Sequence, residues 1–179
     1  MEAGPEVERA VPAARRLESL TPGLGHLVHM PSHVYVWTGR YDDVIRTNIR
    51  AVASDDVFAR DRGKNNAYTA YRIHNYHFVA YGAMWDGRRA LALQYARAIP
   101  NQIPAELMAA MPDLFDIFVS TPYHVMVRFG MWDEMLREPR PDAPELFATR
   151  AVWHYARGIA YASLGRVEQA EREQEAFLK

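Results

Sequence analysis

The chain has 179 residues, a length that corresponds to about one domain. Its content of 49% hydrophobic, 12% aromatic and 24% charged residues is that of a globular protein, which excludes a disordered chain, a collagen and a coiled-coil rod. The 21 basic and 22 acidic residues leave a formal net charge of -1, and no apolar run reaches the ~20 residues that span a bilayer, so neither nucleic acid nor a membrane is an expected partner.

Cysteine is absent and histidine occurs seven times. The absence of cysteine excludes disulfides, thiolate metal ligands and thiol nucleophiles, and it fits a reducing compartment, so a cytoplasmic location is expected. Any metal would therefore have to be held by imidazole and oxygen ligands.

The beginning of the chain already has a helical pattern. Met1–Pro5 has no cationic segment followed by an apolar one, so it is not a secretory signal. From Glu6 to Leu20 the apolar residues recur every three or four positions, as in the second half of a helical hairpin. They are Val7, Ala10, Val11, Ala14, Leu17 and Leu20. The chain is therefore expected to be part of a longer protein.

Helical periodicity continues through the rest of the chain, with no alternating strand pattern, which predicts an all-α fold. Four clusters rich in proline, glycine or polar residues separate the helical blocks. They are Thr21–Gly23, Asp61–Asn66, Pro100–Pro104 and Glu138–Pro144. The last of these, with three prolines, is predicted to be an internal linker.

One phrase recurs four times, each time with a glycine between two amphipathic stretches. The glycines are Gly39, Gly87, Gly130 and Gly165. Each is predicted to end a helix in the left-handed conformation, with the next helix beginning two residues later. The residues expected at those helix starts are Tyr41, Arg89, Trp132 and Val167.

This phrase resembles the tetratricopeptide repeat, which places small and aromatic residues before the turn glycine and alanine after it. The matching residues are Gly158, Tyr161, Gly165 and Ala170 in the last unit, and Tyr35, Gly39, Tyr41 and Ala51 in the first. The resemblance implies a single tetratricopeptide-like domain over residues 1–179. It would contain about four hairpins plus an N-terminal helix, stacked in a right-handed α-α superhelix. The wide spacing of the glycines implies insertions in Phe58–Tyr71 and Pro100–Asp113.

Three longer phrases are similar to those of long bacterial tetratricopeptide-repeat proteins without an assigned activity. The phrases are Gly25–Tyr35, which includes His-Met-Pro-Ser-His, together with His74–Phe78 and Val127–Asp133. The similarity implies that this chain corresponds to the central and C-terminal part of such a protein, and that a further histidine-rich helix lies upstream.

The histidines follow the helical spacing. His26, His29 and His33 lie on one stripe, and a second stripe contains His74, His77 and Tyr81. When the chain is aligned with the repeat family, every histidine except His154 occupies a position that faces the concave groove in that family. Pro31 leaves one alternative open: if a helix begins there, His26 and His29 lie in the preceding loop. His154, between Trp153 and Tyr155, is expected to pack between helices.

Aromatic residues and one cation also fall on the predicted groove, which leads to the first functional hypothesis. The predicted ligand groove consists of Trp37, Tyr81, Trp85 and Arg128. Arg128 could hold a carboxylate or phosphate through its planar guanidinium group. The expected function is the binding of a partner protein, a peptide or a small polar or acidic ligand. The charged last helix, Arg166–Glu175, is a candidate surface for homo-oligomerisation.

Metal-dependent catalysis is the alternative hypothesis. Imidazole is a common ligand of zinc, copper, nickel and non-haem iron, and three convergent histidines with an open position suffice for a hydrolase or an oxidoreductase. The candidate metal ligands are His29, His33, His77 and His124. Two further interpretations remain open: a metal-free polar pocket in which histidines act as acid and base beside Arg128, and histidines that only pack between helices.

Overall fold

The computed structural model describes residues 4–179, and within that range every regular element is helical. The all-α prediction is confirmed for this part of the chain. Met1–Ala3 lie outside the described residues, and with them part of the segment judged not to be a secretory signal. No helix between residues 4 and 179 combines the length and apolar character needed to cross a membrane.

The contacts divide the chain into two compact units, the first ending at Pro104 and the second formed by Ala105–Lys179. The helices of the first unit are α1 (Val11–Leu20), α2 (Gly25–His29), α3 (Pro31–Trp37), α4 (Tyr41–Arg62), α5 (Thr69–Trp85) and α6 (Arg89–Ala98), with single 3-10 turns at Val7–Ala10 and Pro100–Gln102. The second unit contains α7 (Ala105–Ala110), α8 (Pro112–Val119), α9 (Thr121–Arg128), α10 (Trp132–Arg137), α11 (Phe147–Ser163) and α12 (Val167–Phe177).

The four turn glycines have the predicted conformation. Their φ angles are 68° at Gly39, 75° at Gly87, 64° at Gly130 and 73° at Gly165, all in the left-handed region that favours glycine. In each hairpin the second helix begins exactly two residues after the glycine, as α4, α6, α10 and α12 do. The hairpin prediction is confirmed at all four positions.

A hydrogen-bonded group joins three helices of the first unit, α1, α3 and α4. The fully buried Tyr35 donates its hydroxyl to Glu18 Oε1 over 2.5 Å, and Arg46 donates to Glu18 Oε2 over 2.7 Å. Burial would raise the pKa of Glu18, but the hydrogen bonds from Arg46 and Tyr35 outweigh it and lower the pKa. The sequence predicts that Leu20 belongs to the apolar face of α1. This prediction is wrong, because Leu20 is the last residue of α1 and is 59% exposed.

The path from α2 to α3 decides where three histidines point. Met30, between the two helices, keeps helical angles (φ -50°, ψ -37°), and Pro31 begins α3 directly after it. Proline is tolerated there because the first residue of a helix needs no N–H donor. The alternative that places His26 and His29 in a loop is therefore wrong, since both lie on α2.

The predicted linker at Glu138–Pro144 is fixed to a helix. Trp153 Nε1 donates to the Glu138 carbonyl over 3.2 Å, and Arg150 Nε donates to the Pro141 carbonyl over 3.0 Å. The boundary between the two units falls instead at Pro104. The linker prediction is wrong because side chains of α11 bind the backbone of the proline-rich segment.

Gly25 lets the start of α2 approach α4 closely. A Cβ at this position would lie 2.8 Å from the Ala51 carbonyl oxygen and would overlap the Asp55 carboxylate. The Tyr68 hydroxyl holds the same helix end, because it accepts the His26 backbone N–H at 3.4 Å and donates to Asp55 Oδ1 at 2.9 Å. The position of α2 therefore depends on a residue without a side chain.

Gly25→Ala is expected to lower the free energy of unfolding by about 1–3 kcal/mol, a typical cost of overpacking, because the added methyl group forces α2 away from α4. Urea denaturation monitored by circular dichroism measures the change. Gly23→Ala is the matched control, since nothing lies within 4 Å of a Cβ there. Equal losses in the two variants would contradict the close approach of α2 to α4.

Candidate metal centre

His29 is the most constrained histidine in the first unit. Its side chain is fully buried, and its Nδ1 lies 2.7 Å from Asn48 Oδ1 on α4. Asn48 Nδ2 donates to the Val44 carbonyl over 2.8 Å, which leaves Oδ1 as the acceptor facing His29. His29 therefore carries its proton on Nδ1 and presents the lone pair of Nε2 on the other side of the ring.

Two more imidazoles contact the ring of His29. His33, one helical turn later on α3, places its Nε2 2.9 Å from His29 Nε2. His74 on α5 also contacts His29, with its ring centroid 4.7 Å from that of His29. One ring nitrogen from each of His29, His33 and His74 lies within 4.8 Å of the others. We call these three residues the histidine triad.

Aromatic rings surround the triad. Phe78 contacts all three members, with centroid distances of 4.7 Å to His29, 5.1 Å to His33 and 4.6 Å to His74. His26 stacks on His29 at 5.8 Å and packs against another ring at 4.3 Å, that of Tyr71. The triad therefore has an apolar wall on the Phe78 side and a further imidazole at one end.

Burial lowers the pKa of two triad members, His29 and His74, and favours their neutral form. It lowers the pKa of His29 to about 3, and although the hydrogen bond with Asn48 acts in the opposite direction, the neighbouring histidines add to the lowering. Burial, followed by the charges of His77, His33 and His26, lowers the pKa of His74 to about 4. Neutral imidazole is the form that binds metal ions, so neither residue has to lose a proton near neutral pH.

The spacing of the nitrogens is suitable for a shared cation. Two histidines bound to zinc at about 2.0–2.1 Å in tetrahedral geometry have their nitrogens about 3.3 Å apart. The Nε2 atoms of His29 and His33 are 2.9 Å apart, and the third nitrogen lies within 4.8 Å. Three such ligands would leave at least one coordination position open.

The predicted metal ligands are only partly brought together. His29 and His33 belong to the triad, whereas His77 lies beside it, with its ring centroid 6.5 Å from that of His74. His124 lies on α9 in the second unit and is exposed. His74 was placed on the histidine stripe by its spacing but was not selected as a ligand. The sequence could not decide between His74 and His77, which are three residues apart on the same helix.

The predicted groove residues also fall in different units. Trp37 is 66% exposed and Trp85 is 52% exposed, both in the first unit. Trp85 stacks on Tyr41 at 5.9 Å and contacts Tyr81 at 6.1 Å. Arg128 belongs to the second unit, where its guanidinium lies 5.7 Å from the ring centre of Phe129.

Two sets of polar residues have structural partners. His154 Nδ1 lies 2.7 Å from Glu173 Oε2, and its ring packs against Trp153, in agreement with the predicted packing role. Asp55 accepts hydrogen bonds on both carboxylate oxygens, from Tyr68 over 2.9 Å and from Asn75 over 2.7 Å. Asp55 thus links α4 to Tyr68 and to Asn75 on α5, and it does not belong to the histidine triad.

Comparison of the chain with protein-family models, with curated proteins and with solved structures gives no match.

The metal-free protein is expected to lose stability as the pH falls from about 7 to about 5. His29 has a lowered pKa in the folded state, so its contribution is present above the unfolded pKa of about 6.5 and is lost as the pH falls towards about 3. At about pH 5 the loss from His29 alone is about 2 kcal/mol.

Chelator-treated protein and a His29→Gln variant can be compared by urea denaturation across this pH range. The variant should have the shallower dependence of unfolding free energy on pH, because glutamine does not titrate. Parallel curves would contradict a strongly lowered pKa at His29.

Proposed function

We propose that this protein binds one divalent transition-metal ion through His29, His33 and His74. The observation that carries the proposal is the convergence of three imidazole nitrogens within 4.8 Å of one another. Imidazole binds zinc, copper, nickel and iron, and the sequence contains no cysteine that would favour a thiolate site. The proposal replaces His77 and His124 of the sequence-based ligand set with His74.

The surroundings of His29 support the same function. Metal-binding histidines usually donate their second ring N–H to an oxygen, which fixes the tautomer and orients the ring. Asn48 Oδ1 provides this oxygen at 2.7 Å, and the Val44 carbonyl in turn orients the Asn48 amide. The ring of His29 is therefore oriented, with Nε2 towards His33, before any ion arrives, so binding would require little rearrangement of this residue.

Access to the triad is compatible with metal exchange. His29 is fully buried, but His33 and His74 are only partly buried, so the triad is not fully enclosed by protein. In this structure one proton lies between the Nε2 atoms of His29 and His33. A metal ion at this place would occupy the position of that proton, and His33 would remain a neutral imidazole by carrying its proton on Nδ1.

Titration of chelator-treated protein with Co²⁺ or Zn²⁺ is expected to saturate at one ion per chain. His33→Ala and His74→Ala should each weaken binding by about 100-fold or more, because a site with two remaining ligands cannot surround the ion. Calorimetry gives stoichiometry and affinity, and the visible bands of Co²⁺ report its coordination. Circular dichroism confirms that each variant is folded.

His124→Ala is the matched control, since this histidine lies in the second unit and should leave affinity unchanged. His77→Ala discriminates between the two ligand sets: it should retain one bound ion, whereas loss of binding would return His77 to the first coordination sphere. Binding that persists in both His33→Ala and His74→Ala would contradict the proposed centre.

Three protein ligands and an open position are also the arrangement of catalytic metal sites, so a metal-dependent hydrolase or oxidoreductase is the enzymatic form of this proposal. For the fold, we infer that the hairpins stack as tetratricopeptide-like repeats in a right-handed superhelix. The four left-handed turn glycines and the helix starts two residues after them support this inference. A crystal structure of the protein would test it through the angles between successive hairpins.

Binding of a partner peptide is the second candidate function, and the exposed Trp37 and Trp85 favour it. Large exposed aromatic side chains are enriched where proteins bind partners. Peptides selected by display on the wild-type protein should bind the double variant Trp37→Ala, Trp85→Ala at least about tenfold more weakly and should be insensitive to chelators. Selected peptides that bind both proteins equally would exclude this surface.

A further inference from the structure

The histidine triad supplies no negative charge to the ion that it would hold. Histidine binds metals as neutral imidazole, so a divalent ion keeps its full charge of about +2 after three histidines have bound it. Among residues 4–179, the potential ligands that come together here are three histidines and no carboxylate. An ion on this triad therefore lacks a protein counter-charge in its first coordination sphere.

The buried carboxylates of the first unit are engaged elsewhere. Asp55 accepts hydrogen bonds from Tyr68 and Asn75, one on each oxygen. Glu18 accepts from Tyr35 and Arg46. Burial of an unbalanced charge is unfavourable, and the aromatic wall of Phe78 against the triad lowers the local dielectric and increases that cost.

His26 adds a polar atom at the end of the triad. Its ring stacks on His29 with an interplanar angle of 20° and a centroid distance of 5.8 Å. Its Nδ1 atom is buried and has no hydrogen-bond partner within the described part of the chain. The backbone N–H of His26 donates to the Tyr68 hydroxyl, and the ring is held between His29 and Tyr71, with a centroid distance of 4.3 Å to Tyr71. A buried ring nitrogen of this kind requires a partner that the described residues do not supply.

We propose that the metal centre takes a small carboxylate-type anion as its exogenous ligand, and that His26 Nδ1–H donates a hydrogen bond to the outer oxygen of that anion. This inference rests on the proposed function, because the anion binds the metal. One carboxylate oxygen fills the open coordination position and reduces the uncompensated charge. The second oxygen reaches the imidazole that stacks on His29. The ligand class is therefore small organic acids, or the carboxylate of a larger molecule.

The test begins with the Co²⁺-loaded protein, whose visible bands change when a ligand enters the coordination sphere. Titration with acetate should shift these bands with saturation, whereas acetamide, which has the same shape without the charge, should not. His26→Phe preserves an aromatic ring beside Tyr71 and His29 and removes the donor. It should weaken acetate binding by about tenfold and leave Co²⁺ affinity unchanged, because one hydrogen bond to a charged group is lost.

The outcomes separate the two proposals. If Co²⁺ does not load at one ion per chain, the metal centre itself is wrong and the anion site falls with it. If Co²⁺ loads and acetate produces no saturable shift, or if acetamide acts equally well, the metal centre stands and the anion inference is overturned. If acetate binds equally to wild-type protein and His26→Phe, the assignment of His26 to the anion is overturned.

Discussion

The hydrogen bond between His29 and Asn48 determines the arrangement of the histidine cluster. His29 is fully buried, so both of its ring nitrogens need a partner inside the protein. Asn48, oriented by the Val44 carbonyl, accepts a hydrogen bond from His29 Nδ1–H, so the lone pair of the ring lies on Nε2. That lone pair faces His33 Nε2, and one ring nitrogen from each of His29, His33 and His74 lies within 4.8 Å of the others. Without Asn48, His29 Nδ1 would keep only the longer contact with Ser32 Oγ at 3.4 Å, so the tautomer and the ring orientation would be less strongly fixed.

Helix α4 positions α2 at two points on one face. Asn48 and Asp55 are two helical turns apart, so they lie on the same side of α4. Asn48 holds the imidazole near the end of α2, and Asp55 with Tyr68 holds the first turn of α2, against which Gly25 leaves no space for a side chain. The long helix α4 is therefore a rigid support on which the more irregular α2 and α3 are fixed, in the manner of supporting residues around a metal centre.

The sequence predicts those features that depend on local conformation. Gly39 and the three other turn glycines could be predicted because a left-handed residue at a helix end requires glycine, whatever surrounds it. The choice between His74 and His77 could not be predicted, because both lie on one face of α5 and the rotation of that helix against α2 selects between them. The proline-rich segment near Pro141 was misjudged for a similar reason: Arg150, nine residues later in the chain, binds its backbone.

The histidine triad stabilises the fold less than apolar side chains would at the same place. Apolar side chains in this place would pack without the need for hydrogen bonds, whereas burial of His29 and His74 lowers their pKa values to about 3 and about 4 and so makes the fold sensitive to acid. A cation held by the triad would accept electron density from all three nitrogens at once. The same cation would bring a charge that three neutral imidazoles do not balance, and an anion beside His26 would supply the missing negative charge.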